Sequence, residues 1–561
     1  MTTSQETAKI DPRRARRRRR LRLVLLLPFL GLLALFLLEQ VVSFLCPYPL
    51  SALDRFGQSQ KIVSADGQLL RLLPTAKGER LIRLRYEDCG PWLEKALIAG
   101  EDRKFWTHSG VDFPAIFRAA VLNLRRGRVV SGASTLTMQL VRIVEPRPRT
   151  FWSKLVEVFR ARQIERCLDK KTLMEHYLSL VPIGGNLRGF EAASWTWFGK
   201  RAKDLTPREA ATLVAMLPAP SRRAPDNAPA ELIRARNEIL DRMQRCGYLR
   251  PDEASAAQRK ALGTRRRLFA FLAPHASDWR LARARRAFES GPLLETGIRI
   301  DLQRRIEKIV RSYRSTTVDG LAVLVLDLAT AEPVAMLGSR DWRQTQLNTC
   351  LCRRSAASTL KPFLYALALS QGVARRDGLL LDAPLEFADY EPGNQSEDYV
   401  GLLQSGEALR SSRNLPAIRL LQSVGVTAFR DLLYRLGLPV GDRDLHLDLA
   451  LGSLSVSPLE LGRAWCRFGS AELPEALELG ARDRVLAMLR ELSPDPAVLP
   501  AGRVAWKTGT STNRRDAWTV GMTREHVVVV WLGNLQGRGS PELVGMLAAA
   551  PLFARIAAIL P

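Results

Sequence analysis

Cysteine and histidine are scarce. Seven cysteines (Cys46, Cys89, Cys167, Cys246, Cys350, Cys352 and Cys466) are spread over 561 residues. Their odd number and wide scatter exclude a disulfide framework. The five histidines show no zinc-ligand spacing. Acidic charge is also short, with 57 Asp+Glu against 84 Lys+Arg and a net charge of +27. That excess, mostly arginine, suits an anionic partner: nucleic acid, lipid headgroups or a phosphorylated substrate. No internal repeat is visible. With 46% hydrophobic residues the chain is not intrinsically disordered as a whole. Its length allows two or three domains of roughly 100–200 residues each.

The N-terminus decides among the partners. Nine basic residues lie between Lys9 and Arg22, followed by the apolar stretch Leu23 to Leu38. As helix these residues rise about 24 Å. Continuing past Glu39 and Gln40 to Leu45 gives a full span, since polar groups near one end reach the interface. No A-x-A cleavage site follows, so the segment reads as a retained anchor. The preceding arginines put the N-terminus in the cytoplasm and everything after Leu45 outside. Such an exported protein is not expected to bind nucleic acid.

The sequence then divides into a basic tail (1–22), an anchor (23–45), a strand-rich stalk (46–90), a helical domain (91–248), an Arg- and Ala-rich linker (249–295) and a final domain (296–561). In the helical domain apolar residues recur at three- and four-residue spacing, as in WLEKALIAGEDRKFW and STLTMQLVRIV. Thr206-Pro207-Arg208-Glu209 reads as a helix start with a capping box. From Gly297 the period changes. GLAVLVLDL and EPVAMLG read as a hairpin, and VAWKTGT, DAWTVGM and HVVVVWLG as further strands. Helices between these strand groups make an α+β layout.

Two constellations carry chemistry. The first holds Glu101-Asp102-Arg103 with Phe105, His108, Gly110 and Asp112. It continues through Gly132-Ala133-Ser134-Thr135-Leu136-Thr137-Met138-Gln139, Arg142, and Arg149-Thr150-Phe151 with Lys154 and Glu157. Sugar transfer from a phosphate leaving group needs these types: a carboxylate to deprotonate the attacking hydroxyl, and cations to hold the departing diphosphate. Lys154 and Glu157 lie one helical turn apart on one face. Singly, each of these features is ordinary helix decoration.

The strings EDRKFWTHSGVD, GASTLTMQLVR, RTFWSKLVE, TLMEHYL and EAATLVAMLPAPS resemble, in order and spacing, the family 51 peptidoglycan glycosyltransferases over roughly Pro91 to Tyr248. The resemblance implies a mostly α, lysozyme-like fold that polymerises lipid II into a growing glycan strand. It makes Glu101 the base and Glu157 a stabiliser of the diphosphate, with a divalent metal (Mg or Mn) as an optional helper. It assigns Arg142, Arg149 and Lys154 to the phosphates and places Ser134, Thr135 and Gln139 along the cleft. Met138, Ser153 and Ser179 depart from the usual pattern, but none is a proposed acid or base. Phe105, Trp106, Phe113 and Phe117 are candidates to dip into the membrane or to belong to the core.

The second constellation begins with Ser358-Thr359-Leu360-Lys361 before an apolar helical run. Spacing of i,i+3 at a helix start brings the amine toward the hydroxyl. Composition alone gives about two such S-x-x-K matches in a chain of this length. Ser412-Arg413-Asn414 and Lys507-Thr508-Gly509-Thr510 follow in order, completing the motif set of serine penicillin-binding domains with Arg413 for the usual Asp. The resemblance makes Ser358 the nucleophile on a D-Ala–D-Ala carbonyl, Lys361 its base and Ser412 a proton relay. Asn414 binds the substrate amide, and Lys507, Thr508 and Thr510 hold the terminal carboxylate. The backbone amides of Ser358 and Thr510 form the oxyanion hole, and Gly509 admits the substrate backbone.

Together the two halves resemble a class A penicillin-binding protein, most like its 1C branch, without the extra C-terminal domain common there. That resemblance implies a multidomain, single-pass inner-membrane enzyme that makes and cross-links peptidoglycan outside the cytoplasm. No covalent cofactor is expected. The expected ligands are lipid II, stem peptides and β-lactams, and other cell-wall synthesis proteins are expected partners. Two alternatives stay open: a polymerase whose serine domain is inactive or a D,D-carboxypeptidase, and a non-catalytic anchored scaffold.

Overall fold

The computed structural model describes residues 37, 39–127, 133–313, 318–386, 392–395, 398–441 and 446–561. The expected tail, most of the expected anchor, and Gly132 lie outside them. Of the anchor only Leu37 and residues 39–45 are described, as helix. No helix among the described residues is long and apolar enough to cross a membrane. The chain forms two compact units. The first takes the described residues up to Gln60 with Leu73–Phe269, and the second takes Lys61–Leu72 with Ala270–Pro561.

The first unit is helical: α1 (Gly90–Gly100), α2 (Phe113–Arg126), α3 (Leu136–Val144), α4 (Phe151–Cys167), α5 (Lys170–Leu180), α6 (Pro207–Met216) and α7 (Pro229–Arg245) carry most of it. Side-chain caps start four of these helices. Asp112, Thr135, Thr150 and Asp169 accept from the backbone N–H three residues on, satisfying donors left open at a helix N-terminus. The expected capping box is present, with Glu209 accepting from both the backbone N and Oγ1 of Thr206. Helices α1, α6 and α7 pack together around Leu93, Leu97, Leu213, Val214, Leu240 and Met243. The buried side of α4 is not purely apolar: it includes Glu157 and Gln163. A buried carboxylate without a reason is rare, so this helix already points to a site.

The second unit is built on a five-stranded antiparallel sheet of β1 (Gly320–Asp327), β2 (Pro333–Leu337), β3 (Ala505–Thr510), β4 (Asp516–Met522) and β5 (His526–Gly533), in the order β3-β4-β5-β1-β2. The expected hairpin is β1–β2, pairing Val323 with Leu337. Both faces are covered, which is why β1 and β5 read as unbroken apolar runs. One face meets α8 (Ile300–Ser312) and the C-terminal helix Ala550–Ala557 through Ile306, Val310, Val528, Val530 and Phe553. The other meets the helix Pro458–Gly469, whose Gly462 lies so close that a Cβ there would stand 2.3 Å from Leu326 Cδ1. Helices α9 (Lys361–Ser370), α10 (Ser405–Arg410) and α11 (Asn414–Val424) complete the unit.

Residues 249–295, read from composition as a linker, contain the helices Pro251–Arg259 and Pro274–Arg286 and the strand Leu293–Glu295. Within the stalk segment, Lys61–Val63 pairs antiparallel with Leu69–Leu72 and parallel with Leu293–Glu295. Non-local pairing of three-residue strands leaves almost no trace in local periodicity.

Candidate active sites

Glu101 follows the last turn of α1, where its backbone N–H still bonds Leu97 O. Its half-buried carboxylate accepts from Gln139 Nε2 on α3 at 2.9 Å. Gln139 Oε1 in turn accepts from the Tyr177 hydroxyl on α5 at 2.9 Å. Burial, with the Glu101 charge adding to it, pushes the Tyr177 phenol well above its usual range. Tyr177 therefore remains a donor, and this holds the Gln139 amide with its NH2 toward Glu101. Tyr177 stands within the TLMEHYL string, yet no local pattern gave it a role.

The neighbouring Asp102 faces inward. Its Oδ2 accepts from Leu136 N, the first residue of α3, at 3.0 Å and lies 2.9 Å from His108 Nε2. The Gly110 N–H bonds His108 Nδ1. Gly110 has φ +88°, and a Cβ on it would lie 2.5 Å from Ala161 O, so only glycine fits between this turn and α4. Thr135 is buried: its Oγ1 donates to Gly110 O at 2.6 Å while capping α3. The expectation that Thr135 lines the cleft therefore does not match its position, because its hydroxyl is committed to backbone. Ser134 and Gln139 keep partly open side chains.

Lys154 Nζ bridges Ser134 Oγ at 2.6 Å and Glu157 Oε2 at 2.9 Å. The Glu157 side chain is 8% exposed and that of Lys154 is 41% exposed, so the cation forms the outer member of the pair. Arg142 on α3 and Arg149 before α4 are exposed, with no ion-pair partner among the described residues. Phe105 belongs to the core, whereas Trp106, Phe113, Phe117, Leu124, Phe151 and Trp152 are exposed. Phe113, Phe117 and Leu124 lie on one side of α2, at spacings of four and seven residues.

In the second unit the three sequence motifs converge. Ser358 lies in the short 3-10 turn Ala357–Leu360, one turn before α9 begins at Lys361. Ala357 holds this turn in a left-handed conformation, φ 49°, and its N–H bonds Gly452 O. Such backbone costs about 1–3 kcal/mol and persists where the surroundings enforce it. Lys361 is fully buried and donates to Ser412 O (2.7 Å), Arg413 O (3.1 Å) and Asn414 Oδ1 (2.8 Å). Burial, and after it the Lys507 charge, pull its amine well below the usual lysine range. Ser412, also left-handed at φ 61°, receives a hydrogen bond on Oγ from Lys507 Nζ. Burial lowers Lys507 to about 7.

Gly509 on β3 is glycine for a reason the motif did not reveal. A Cβ there would come within 3.0–3.1 Å of Thr359 Cγ2, Ala356 O and Ala357 Cβ, so the missing side chain seats the strand against the turn that carries Ser358. Thr508 stays half-buried, and Thr510 Oγ1 accepts from Gly545 N at 3.0 Å.

Arg413, at the unusual middle position of its motif, pairs with Asp398 at 2.5 Å and with fully buried Asp382 at 3.4 Å. Asp382 Oδ1 accepts from Asn394 Nδ2, and Asn394 Oδ1 accepts from Asn414 N. This chain of contacts supports the motif loop from behind. Neither Asp382 nor Asn394 stands out in the sequence.

A family model described as Transglycosylase matches residues 66–244, and one described as Penicillin binding protein transpeptidase domain matches residues 321–469. Penicillin-binding protein 1C of Escherichia coli (strain K12) is 33% identical to this chain over 559 residues, covering 95% of the chain and 71% of the relative. The chain is a class A penicillin-binding protein. Penicillin-binding protein 1F of Bacillus subtilis (strain 168) is 28% identical, over 85% of this chain and 73% of its own length. The 2.6 Å crystal structure of penicillin-binding protein 1A from Haemophilus influenzae shares the fold, with TM-score 0.56 and 17% identity over 89% of this chain and 92% of that one. This class A penicillin-binding protein is accordingly an enzyme of peptidoglycan synthesis, with glycosyltransferase and serine transpeptidase activity. Peptidoglycan substrates and β-lactams are its ligands.

Proposed function

We propose the following division of labour. In the first unit Glu101 takes the proton from the acceptor sugar's 4-hydroxyl as that oxygen attacks C1 of the donor. The bond from C1 to the diphosphate oxygen breaks, and the lipid diphosphate leaves toward Lys154, Arg142 and Arg149. Preorganised cations stabilise the charge that grows on the leaving group. Gln139, fixed by Tyr177, orients the Glu101 carboxylate, and Ser134 places the Lys154 ammonium. Glu157 holds that ammonium in position.

The donor set fits a metal poorly. Lys154 already engages the Glu157 carboxylate, and among the described residues no group of three or more His, Cys, Asp or Glu could hold an ion. The roles above use no metal.

In the second unit Ser358 Oγ attacks the penultimate D-Ala carbonyl, and its proton goes to the Lys361 amine, which burial holds well below the usual lysine range. The tetrahedral oxyanion faces the backbone N–H groups of Ser358 and Thr510. Ser412 relays the proton to the departing D-Ala, leaving an acyl-enzyme that a second stem's amine resolves. Lys507, Thr508 and Thr510 hold the terminal carboxylate, and Asn414 holds the stem amide. A membrane anchor at residues 23–45, with both units outside the cytoplasm, brings the enzyme to its lipid-linked donor. The exposed apolar side of α2 and the Phe151–Trp152 pair suit a bilayer surface.

The observation that most supports this reading is the meeting of Lys361, Ser412, Asn414 and Lys507, from three separate stretches of chain, in one hydrogen-bonded cluster. The test is purified full-length protein given lipid II, with muropeptide analysis of the product and fluorescent penicillin labelling. Cross-linked strands, and a label lost in Ser358→Ala, are expected. Uncross-linked strands with shortened stems would make the second unit a carboxypeptidase. No polymer and no label would leave only a scaffold.

A further inference from the structure

The serine turn packs against β3, one edge of the five-stranded sheet. A cavity of about 510 Å³ opens at the other edge, where β2 ends. Four inter-strand steps of about 4.8 Å put the two edges roughly 19 Å apart. The cavity is therefore separate from the cleft that holds Ser358. Its size falls in the ordinary range for ligand pockets, about 300–1,000 Å³.

The walls are rich in donors. Arg304 and Arg311 come from α8, and Arg340 and Arg343 from the loop after β2, against the carboxylates of Glu307 and Asp341. Four guanidiniums against two carboxylates leave the walls net cationic, and both carboxylates accept hydrogen bonds. Glu307 accepts from Gln303 Nε2 at 3.0 Å and from Arg311 at 3.3 Å, and Asp341 Oδ1 accepts from Arg343 N at 2.9 Å. Arg304 and Arg343 are exposed; the carboxylate paired with Arg304, Asp301, is 3.9 Å away. The Trp342 indole N–H is buried without a hydrogen-bond partner among the described residues, an unusual state for a strong donor. His275 on the floor is pushed down to about 4 by burial and is therefore neutral. The Phe271 and Trp342 rings, 4.7 Å apart edge to face, give the cavity an apolar wall.

What remains open is an acceptor-hungry, net cationic recess with an aromatic side. We propose that this recess is a second ligand site, which binds a short peptide segment through its carboxylates. Guanidinium forks match carboxylates two bonds at a time, and the indole N–H supplies a further donor. The aromatic pair covers the aliphatic part of such a peptide. The stem peptides that the enzyme handles carry free carboxylates, so a strand engaged here would be held while another stem reacts at Ser358. The choice of ligand, though not the existence of the site, rests on the peptide-handling function proposed above.

The experiment is calorimetric titration of the full chain with a synthetic stem pentapeptide carrying its free carboxylates. The same peptide fully amidated and inorganic phosphate serve as separate arms. Penicillin-acylated protein is used, so that the acyl group fills the serine cleft, and the extent of acylation at Ser358 is read separately, so that its failure would be seen by itself. Saturable one-to-one binding of the acidic peptide to the acylated protein is expected. Loss of a charge-assisted bond in Arg304→Glu or Arg343→Glu should weaken it by about tenfold or more. Trp342→Phe, which keeps an aromatic ring against Phe271 but removes the N–H together with the five-membered ring of the indole, should weaken it too, with penicillin labelling and melting temperature of the variants unchanged. No saturable binding, equal binding of the amidated peptide, full competition by phosphate, or indifference to all three variants would each overturn the proposal.

Discussion

Removing the Lys154 ammonium separates a structural ion pair from a diphosphate clamp. In Lys154→Met the Glu157 carboxylate, 8% exposed, loses its cation. A fully buried pair broken on one side costs about 3–5 kcal/mol, whereas exposed pairs are worth about 1 kcal/mol or less. With Lys154 41% exposed, water can partly replace it, and the cost falls between, at about 2 kcal/mol. For a unit of this size that is a drop in melting temperature of about 4–8 °C. Glu157→Gln removes the unpaired charge, so the double variant Lys154→Met/Glu157→Gln should melt close to the parent. Its lipid II polymerisation should stay about a hundredfold or more below the parent, the usual price of losing one preorganised charge at a transition state. Thermal unfolding and initial rates on the three variants and the parent decide the matter. A double variant that recovers turnover together with stability would refute the clamp and reduce the pair to a staple between α4 and Ser134.

Lys507 gives a pH signature. With its amine at about 7, it is cationic below that pH and can hold a carboxylate. Penicillin acylation should therefore fall as pH rises above about 7, and Lys507→Met should flatten that limb. Its folded-state value lies below the unfolded one, about 10.4, so its desolvation cost is full below pH 7 and fades as pH rises toward 10.4. Lys507→Met should consequently stabilise the second unit at pH 6 and lose that advantage near pH 10, as read by melting temperature. Arg413→Ala strands the buried Asp382 charge and should cost about 3–5 kcal/mol in unfolding experiments. Arg413→Asp, which restores the common motif, should be worse still, because it sets a third carboxylate against Asp382 and Asp398. Gly509→Ala forces a methyl against the serine turn; overpacking of this kind costs about 1–3 kcal/mol and should slow penicillin labelling as well.

The sequence was most informative where chemistry and local geometry coincide. Thr206–Glu209 declares a helix start through side chains three residues apart. The runs of β1 and β5 are apolar throughout because both faces of the sheet are covered, and the β1–β2 hairpin needs only a short turn to be seen. The motif residues Glu101, Lys154, Ser358, Lys361, Ser412 and Lys507 could all be named before their neighbours were known. What stayed hidden depends on contacts distant in sequence. Tyr177 acts through Gln139, 38 residues away, and Asp382 acts through Asn394 and Arg413, so neither has a local signature. Thr135 was placed along the cleft by the family resemblance, but a threonine at a helix start is equally a cap, and its hydroxyl bonds Gly110 O and Met138 N. For Gly509 the motif suggested substrate approach, and the close packing of the serine turn, a second demand for glycine at that position, has no local signature.

The central claim is that Glu101 is the base for glycan polymerisation and has no part in the serine chemistry. The most direct measurement is lipid II turnover by Glu101→Gln beside fluorescent penicillin labelling of the same sample. The amide keeps the size of the side chain and can still meet Gln139 and Tyr177 in their hydrogen-bonded line. Loss of a positioned base lowers rates by about 10²–10⁴, so polymerisation should fall to that extent while the label at Ser358 stays at the parent level. Polymerisation within a few-fold of the parent would contradict the account.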